Sequence, residues 1–185
     1  MDCFYFEQLN KNQKIFSLKE DEAHHCLNVL RKKIGDIIKV TNGRGTIVTA
    51  RIINILKSSC DLEIIDFTEE EKFYSIHIAI SPTKNIDRFE WFIEKSTEIG
   101  VDIITPIVCK RTERKNLRID RIDKLIISAT KQSCRHFKPI INQLISYDNF
   151  IVQTKKKDSL KLIAHCTDIN KNNLKEIIGK NSEVI

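Results

Sequence analysis

Apolar positions in the first third of the chain fall into β-branched runs, with one stretch at helical spacing. Beyond it, short apolar runs alternate with longer amphipathic stretches. Over Asp21–Arg31, Ala23, Cys26, Leu27 and Leu30 share one face of a predicted helix. Lys32 and Lys33 suit its C-terminal end, and Gly35 can terminate it. GDIIKV and TIVTARIINI then flank Asn42-Gly43-Arg44-Gly45, the signature of a hairpin turn. CDLEIIDF, Cys60–Phe67, offers one more strand. A small β-barrel or sheet carrying one helix is expected.

The polar segment TEEEK, Thr68–Lys72, reads as a linker between domains at 1–70 and 73–185. Beyond it, strands are predicted over Ser75–Ile80, Ile103–Val108 and Lys161–His165, with another beginning at Val184-Ile185. Helices are predicted over Asp87–Ile99, Ile119–His136 and Asn172–Ile178. This alternation indicates an α/β domain with a largely parallel sheet.

Within the helix Asp87–Ile99, Asp87 is a suitable N-cap, with Glu90 placed as in a capping box. Phe89, Phe92, Ile93 and Ser96 share a face. Trp91 falls on the other side with Glu94, Lys95 and Glu98. A tryptophan among charges marks a partner surface, or else covers a neighbouring loop or the other domain. The stretch KSTEIGVDIITP ends this helix at Gly100 and starts a strand that delivers Lys110 and Arg111. Ligands of open α/β sheets collect at such carboxyl ends, so the two cations either meet a phosphate or are solvated loop charges. In the helix from Ile119, Arg121, Lys124, Ser128, Lys131 and Arg135 form a line with cations of one sign. That pattern suits a phosphate backbone, and a solubilising face is the alternative.

Charge strengthens the polyanion reading: the formal net charge is +6 over 185 residues. The 41% hydrophobic content is enough for a real core. No apolar run approaches the roughly 18 residues of a membrane span, and MDCFYFEQLNKNQKIF lacks the pattern of a secretory signal. The six cysteines are scattered, without metal-ligand spacing, and read as free thiols of a cytoplasmic protein. The five glycines form no phosphate-cradling loop. No paired carboxylates stand out as an acid/base couple. Composition and spacing therefore indicate RNA or DNA binding and leave the reaction open.

Several motifs coincide in order. HHCLNVLRKKIGDIIKVTNGRG resembles the PUA-like domain of the RsmE family of ribosomal RNA methyltransferases. SPTKNIDRFEWFIEKSTEIGVDIITPIVCKR resembles the start of that family's methyltransferase domain, and KQSCRHFKPII the family's following segment. His25, Leu30, Arg31, Gly35 and Asp36 match in the first domain, and Lys84, Arg88, Glu90, Lys95, Glu98, Gly100, Pro106 and Arg111 in the second. Gln132 matches the family's glutamine, while Lys131 stands where a glutamate is usual. An arginine near the family's N-terminus has no counterpart in MDCFYF.

The resemblance implies an α+β two-domain fold: an N-terminal PUA-like β-barrel and an α/β SPOUT (trefoil-knot) methyltransferase domain, here C-terminally incomplete. It implies methyl transfer from S-adenosyl-L-methionine, without a metal, to N3 of a uridine in 16S rRNA. The partner would be rRNA within an assembled small subunit, and the enzyme a cytoplasmic homodimer with no membrane attachment. Arg31, Lys84, Arg88, Arg111, Arg121, Lys124, Lys131 and Arg135 are the expected RNA-binding residues. The catalytic base is unassigned. The GPEGG-like and LG-x-x-ILR-x-ETA-like segments that build the family's cofactor pocket are expected beyond Ile185, so the 185-residue chain by itself is expected to be inactive. A non-catalytic RNA-binding remnant and a SPOUT enzyme with another RNA target are the alternatives.

Overall fold

A computed structural model describes residues 2–10, 12–155, 158–164 and the strand at 183–184. The chain divides into two units, Met1–Glu71 with Ile126–Lys138, and Lys72–Leu125 with Pro139–Ile185. The segment Ile126–Lys138 thus belongs with the first unit, although it follows most of the second in sequence.

In the first unit, β1 (Cys3–Tyr5), β2 (Ile15–Lys19), β3 (Ile37–Thr41), β4 (Thr46–Ile55) and β5 (Ser59–Glu69) form one sheet in the order β1-β3-β4-β5-β2. β1 runs parallel to β3, and the other neighbours are antiparallel. β1 and β2 are the two edges, so the PUA-like sheet is a half-barrel. Period-2 alternation places Ile38, Val40, Val48, Ala50, Ile52 and Leu62 inside. α1 (Glu20–His24) continues as a wider turn over His25–Val29, in which the Leu30 amide reaches the His25 carbonyl at 3.0 Å. The helical stretch ends at Arg31, whose φ is +53°, and not at Gly35. A non-glycine residue in the left-handed region leaves no sequence signal for that stop. β1 and β2 were also not predicted, because each is short and lies at an edge.

In the second unit, β6 (Ser75–Ile80) and β7 (Ile103–Val108) lie side by side and parallel, as expected. β8 (Ile140–Ile141) and β9 (Ile145–Ser146) both pair with β7, and β10 (Glu183–Val184) pairs with β6, all parallel. α2 (Ile86–Ile99) is capped by Asn85, whose side chain accepts from the Asp87 amide at 2.9 Å. The helix therefore starts one residue before Asp87, and Glu90 forms no capping box. Gly100 closes it at φ +102°, as its position predicts. α4 (Tyr147–Thr154) follows β9. The predicted strand Lys161–His165 is irregular through Ala164, and the predicted helix Asn172–Ile178 lies outside the described residues.

α3 (Ile119–Gln132) stops at Gln132 and not at His136. Cys134 takes φ +49°, the Arg135 amide donates to Thr130 O at 3.0 Å and the Cys134 amide to Lys131 O at 3.1 Å. This is a Schellman closure with cysteine where glycine is usual. Arg135 consequently does not extend the helical line of cations.

Among the described residues no helix is long and apolar enough to cross a membrane. Cys3, Cys26, Cys60, Cys109 and Cys134 are free thiols.

Candidate nucleic-acid interface

The loops after β6 and β7 lie at the carboxyl ends of adjacent parallel strands, where α/β sheets gather their ligands. Two hydroxyls join them: Ser81 Oγ and Thr112 Oγ1 are 2.6 Å apart. Thr112 also closes its own turn, accepting from the Cys109 amide at 2.8 Å while its amide donates to the Cys109 carbonyl at 3.1 Å. Arg111 sits exposed at the tip of that turn. Arg114 spans the gap, donating from Nη2 to Lys84 O at 2.8 Å and from Nε to Thr83 O at 3.3 Å.

A shallow hollow of about 390 Å³ lies here, lined by Ser81, Pro82, Thr83, Lys84, Cys109, Arg111, Thr112 and Glu113. A second, of about 340 Å³, is lined by Lys84, Glu113, Arg114, Lys115 and Asn116. Glu113 is the one acid in these two loops, and it pairs with Lys84 at 3.0 Å. The cations Lys84, Lys110, Arg111, Arg114 and Lys115 therefore exceed the negative charge, and the surface attracts anions. Arg88 lies exposed in the first turn of α2 beside this cluster in sequence.

The remaining expected cations are placed differently. Arg121 is exposed and bridged to Glu90 at 2.9 Å, and Lys124 is exposed. In the first unit, Arg31 is exposed in its left-handed turn, and Arg135 is half-buried, its carbonyl accepting from Thr41 Oγ1 at 2.9 Å. Lys131 is half-buried and donates to Glu22 at 2.5 Å, while the other Glu22 oxygen accepts from the Tyr5 amide at 3.1 Å. The structure thus brings Lys84 and Arg111 together, and the stripe on α3 is partly consumed by ion pairs. From the sequence, Arg114 reads with Lys115 and Arg118 as leading into the α3 stripe; its bridge to Thr83 and Lys84, like the Ser81–Thr112 hydroxyl pair, was missed, since no spacing rule links residues about 30 apart.

Residues 69–185 match the profile described as the RNA methyltransferase domain, and residues 18–65 that of the RNA methyltransferase PUA domain. The chain belongs to the RNA methyltransferase family. Relatives are named ribosomal RNA small subunit methyltransferase E. That of Rickettsia conorii is 26% identical over 171 residues, covering 92% of this chain and 68% of its own. That of Buchnera aphidicola subsp. Acyrthosiphon pisum is 30% identical over 167 residues, covering 86% and 65%. The chain thus spans about two thirds of the length of these RsmE relatives. The crystal structure of the RsmE protein from Neisseria gonorrhoeae bound to S-adenosyl methionine superposes with a TM-score of 0.82 at 26% identity, covering 100% of this chain and 77% of that one. The fold is therefore α+β, with a PUA-like half-barrel and a SPOUT-type parallel sheet. The family's knot lies outside the described residues.

The described loops do not fit S-adenosylmethionine. Their hollows are shallow and cation-rich, with no enclosed apolar slot for an adenine ring. The sole carboxylate that could face a sulfonium, Glu113, is already paired with Lys84. Their excess of cations attracts anions.

Proposed function

We propose that this RNA methyltransferase modifies N3 of one uridine in 16S rRNA of the small ribosomal subunit, with S-adenosyl-L-methionine as the methyl donor. The observation that carries this reading is the cationic cluster of Lys84, Arg111 and Arg114 at the carboxyl ends of β6 and β7, in a chain of this family. The target N3 bears a proton that must leave before the nitrogen can act as a nucleophile. Cations beside the base stabilise the uridine anion so formed. The same cations, with Arg88, Arg121 and Lys124, hold phosphates flanking the target, and Arg31 and Arg135 serve the PUA-like part. Lys131 contributes by fixing Glu22. In this reading residues 1–70 grip RNA and 73–185 belong to the catalytic domain. The enzyme works in the cytoplasm as a homodimer on an assembled subunit, where shape and phosphate contacts dominate recognition.

The test is incubation of small subunits lacking the modification with isotopically labelled S-adenosylmethionine, followed by nucleoside mass spectrometry. Label in N3-methyluridine at a single 16S position supports the reading, and label in another nucleotide or RNA overturns it. The cation excess at these loops supports RNA binding with or without methyl transfer, so a non-catalytic RNA-binding role is the second reading. Tight RNA binding without transfer would select that role.

A further inference from the structure

Trp91 is the chain's single tryptophan, and 62% of it is exposed. α2 buries the opposite face, through Phe89, Ile93, Ser96 and Thr97. Phe92 is half-buried against Phe89, with ring centroids 6.5 Å apart. Asp87, Arg88, Trp91 and Phe92 line a shallow hollow of about 400 Å³. Arg88 and Trp91 are three residues apart on the helix, so their side chains are neighbours.

The charges around the indole are mixed, and most are paired with one another. Glu94 and Glu98 are taken by Lys95, at 3.0 and 2.8 Å, and Glu90 by Arg121. Asp87 stays in the first turn, where the helix N-terminus favours an anion. Arg88 lies in the same turn, and Lys84 lies just before the cap. From the start of α2 to Trp91 is about 8 Å of helix rise. A flat aromatic face on a rigid helix thus adjoins Arg88, a cation that suits a phosphate, while Lys84 is paired with Glu113.

We infer that Trp91, flanked by Arg88, is a stacking platform for an unpaired base of the bound RNA. This rests on the RNA methyltransferase reading above and adds a base-binding position to it. Proteins that bind single-stranded RNA stack unpaired bases on aromatic rings and hold the backbone with cations. Bases within a duplex offer no free face, so the ligand is a single-stranded or looped segment. A second copy of the chain fits this hollow less well. Its apolar part is one indole and half of Phe92, against about 800 Å² per partner in a stable protein interface.

The test uses the emission of Trp91 in the full chain, with a short single-stranded RNA oligonucleotide as probe and the anisotropy of a dye on that RNA as an independent measure of binding. Single-stranded RNA should quench the emission in step with the anisotropy, and the same sequence as a duplex should not. Trp91→Ala should weaken binding by roughly 5- to 150-fold, the range of one base–aromatic stack, and Trp91→Phe should retain most of it. Unchanged far-UV circular dichroism would show that Trp91→Ala stays folded. RNA that binds by anisotropy without altering Trp91 emission overturns the platform and leaves the family reading standing. A blue shift that follows protein concentration without RNA assigns the indole to a second copy and also overturns it. Absence of any RNA binding removes both.

Discussion

The Thr41 hydroxyl donates to the carbonyl of Arg135 at 2.9 Å, across 94 residues of sequence. Thr41 ends β3, and Arg135 follows the closure of α3. The same Thr41 oxygen accepts from the Gly43 amide at 3.1 Å. Around it, the Lys138 amide donates to Gly43 O at 2.9 Å and the Gly45 amide to His136 O at 2.8 Å. The turn that reads as a plain hairpin connection is therefore also the dock for Arg135–Lys138. Replacing Thr41 by Val removes a buried hydroxyl and leaves its partners unsatisfied. Urea unfolding should show a loss of about 1–3 kcal/mol, with Thr41→Ser close to wild type.

Glycine is required in that turn for two reasons. Gly43 has φ +67°, and a Cβ there would lie 2.8 Å from Lys138 Cβ; Gly45 has φ +106°, and its Cβ would lie 2.9 Å from Glu70 O. Gly35 has φ +95° with nothing within 4 Å of its Cβ. Gly35→Ala should cost about 1 kcal/mol from backbone strain alone. Gly43→Ala and Gly45→Ala should cost visibly more, because backbone and Lys138 must also shift. Melting temperatures of the three variants, compared side by side, check this ordering.

The Asp61 carboxylate accepts from Ser17 Oγ at 2.6 Å and Asn54 Nδ2 at 3.0 Å, tying β2 to the β4–β5 hairpin. The Ser17 bond first, and the Asn54 bond second, hold its pKa below the ordinary aspartate value. A depressed acid stabilises the fold fully above the unfolded pKa of about 3.9 and loses that contribution as pH falls through the lower folded value. Stability should therefore fall below about pH 4, and Asp61→Asn should flatten that part of the profile. Denaturant midpoints from neutral to acidic pH measure it.

The cations should separate by role. Lys124→Ala and Arg111→Ala should leave stability within about 0.5 kcal/mol and weaken RNA binding, each lowering the salt slope by about 1. Lys131→Ala strips the partner from a half-buried Glu22 and should instead cost about 1–3 kcal/mol of stability. Binding measured against salt, alongside unfolding curves, distinguishes the two classes.

Much of this was legible in the chain. The β-branched runs located β3, β4 and β5, and Ser75–Ile80 and Ile103–Val108 appear as strands with the predicted bounds. In both, β-branched residues dominate a short run, and Ile104 and Ile107 of the second are buried, so local pattern and tertiary burial agree. What was not legible depended on contacts distant in sequence. Cys134 ends α3 in a conformation that gives cysteine no advantage, so the helical pattern appeared to continue to His136. Lys131 fits the phosphate-facing line by spacing, but its ammonium is taken by Glu22, 109 residues away in sequence. Arg114 reads from the sequence as the approach to the α3 stripe, and its bridge to Thr83 and Lys84 exists only because β6 and β7 pair.

The most direct measurement is made in the source cell: delete the segment that encodes residues 1–185 and map the methylated nucleosides of 16S rRNA by mass spectrometry. The prediction is loss of N3-methyluridine at one position, with the other modifications unchanged. Persistence of N3-methyluridine at its normal level would contradict the assignment.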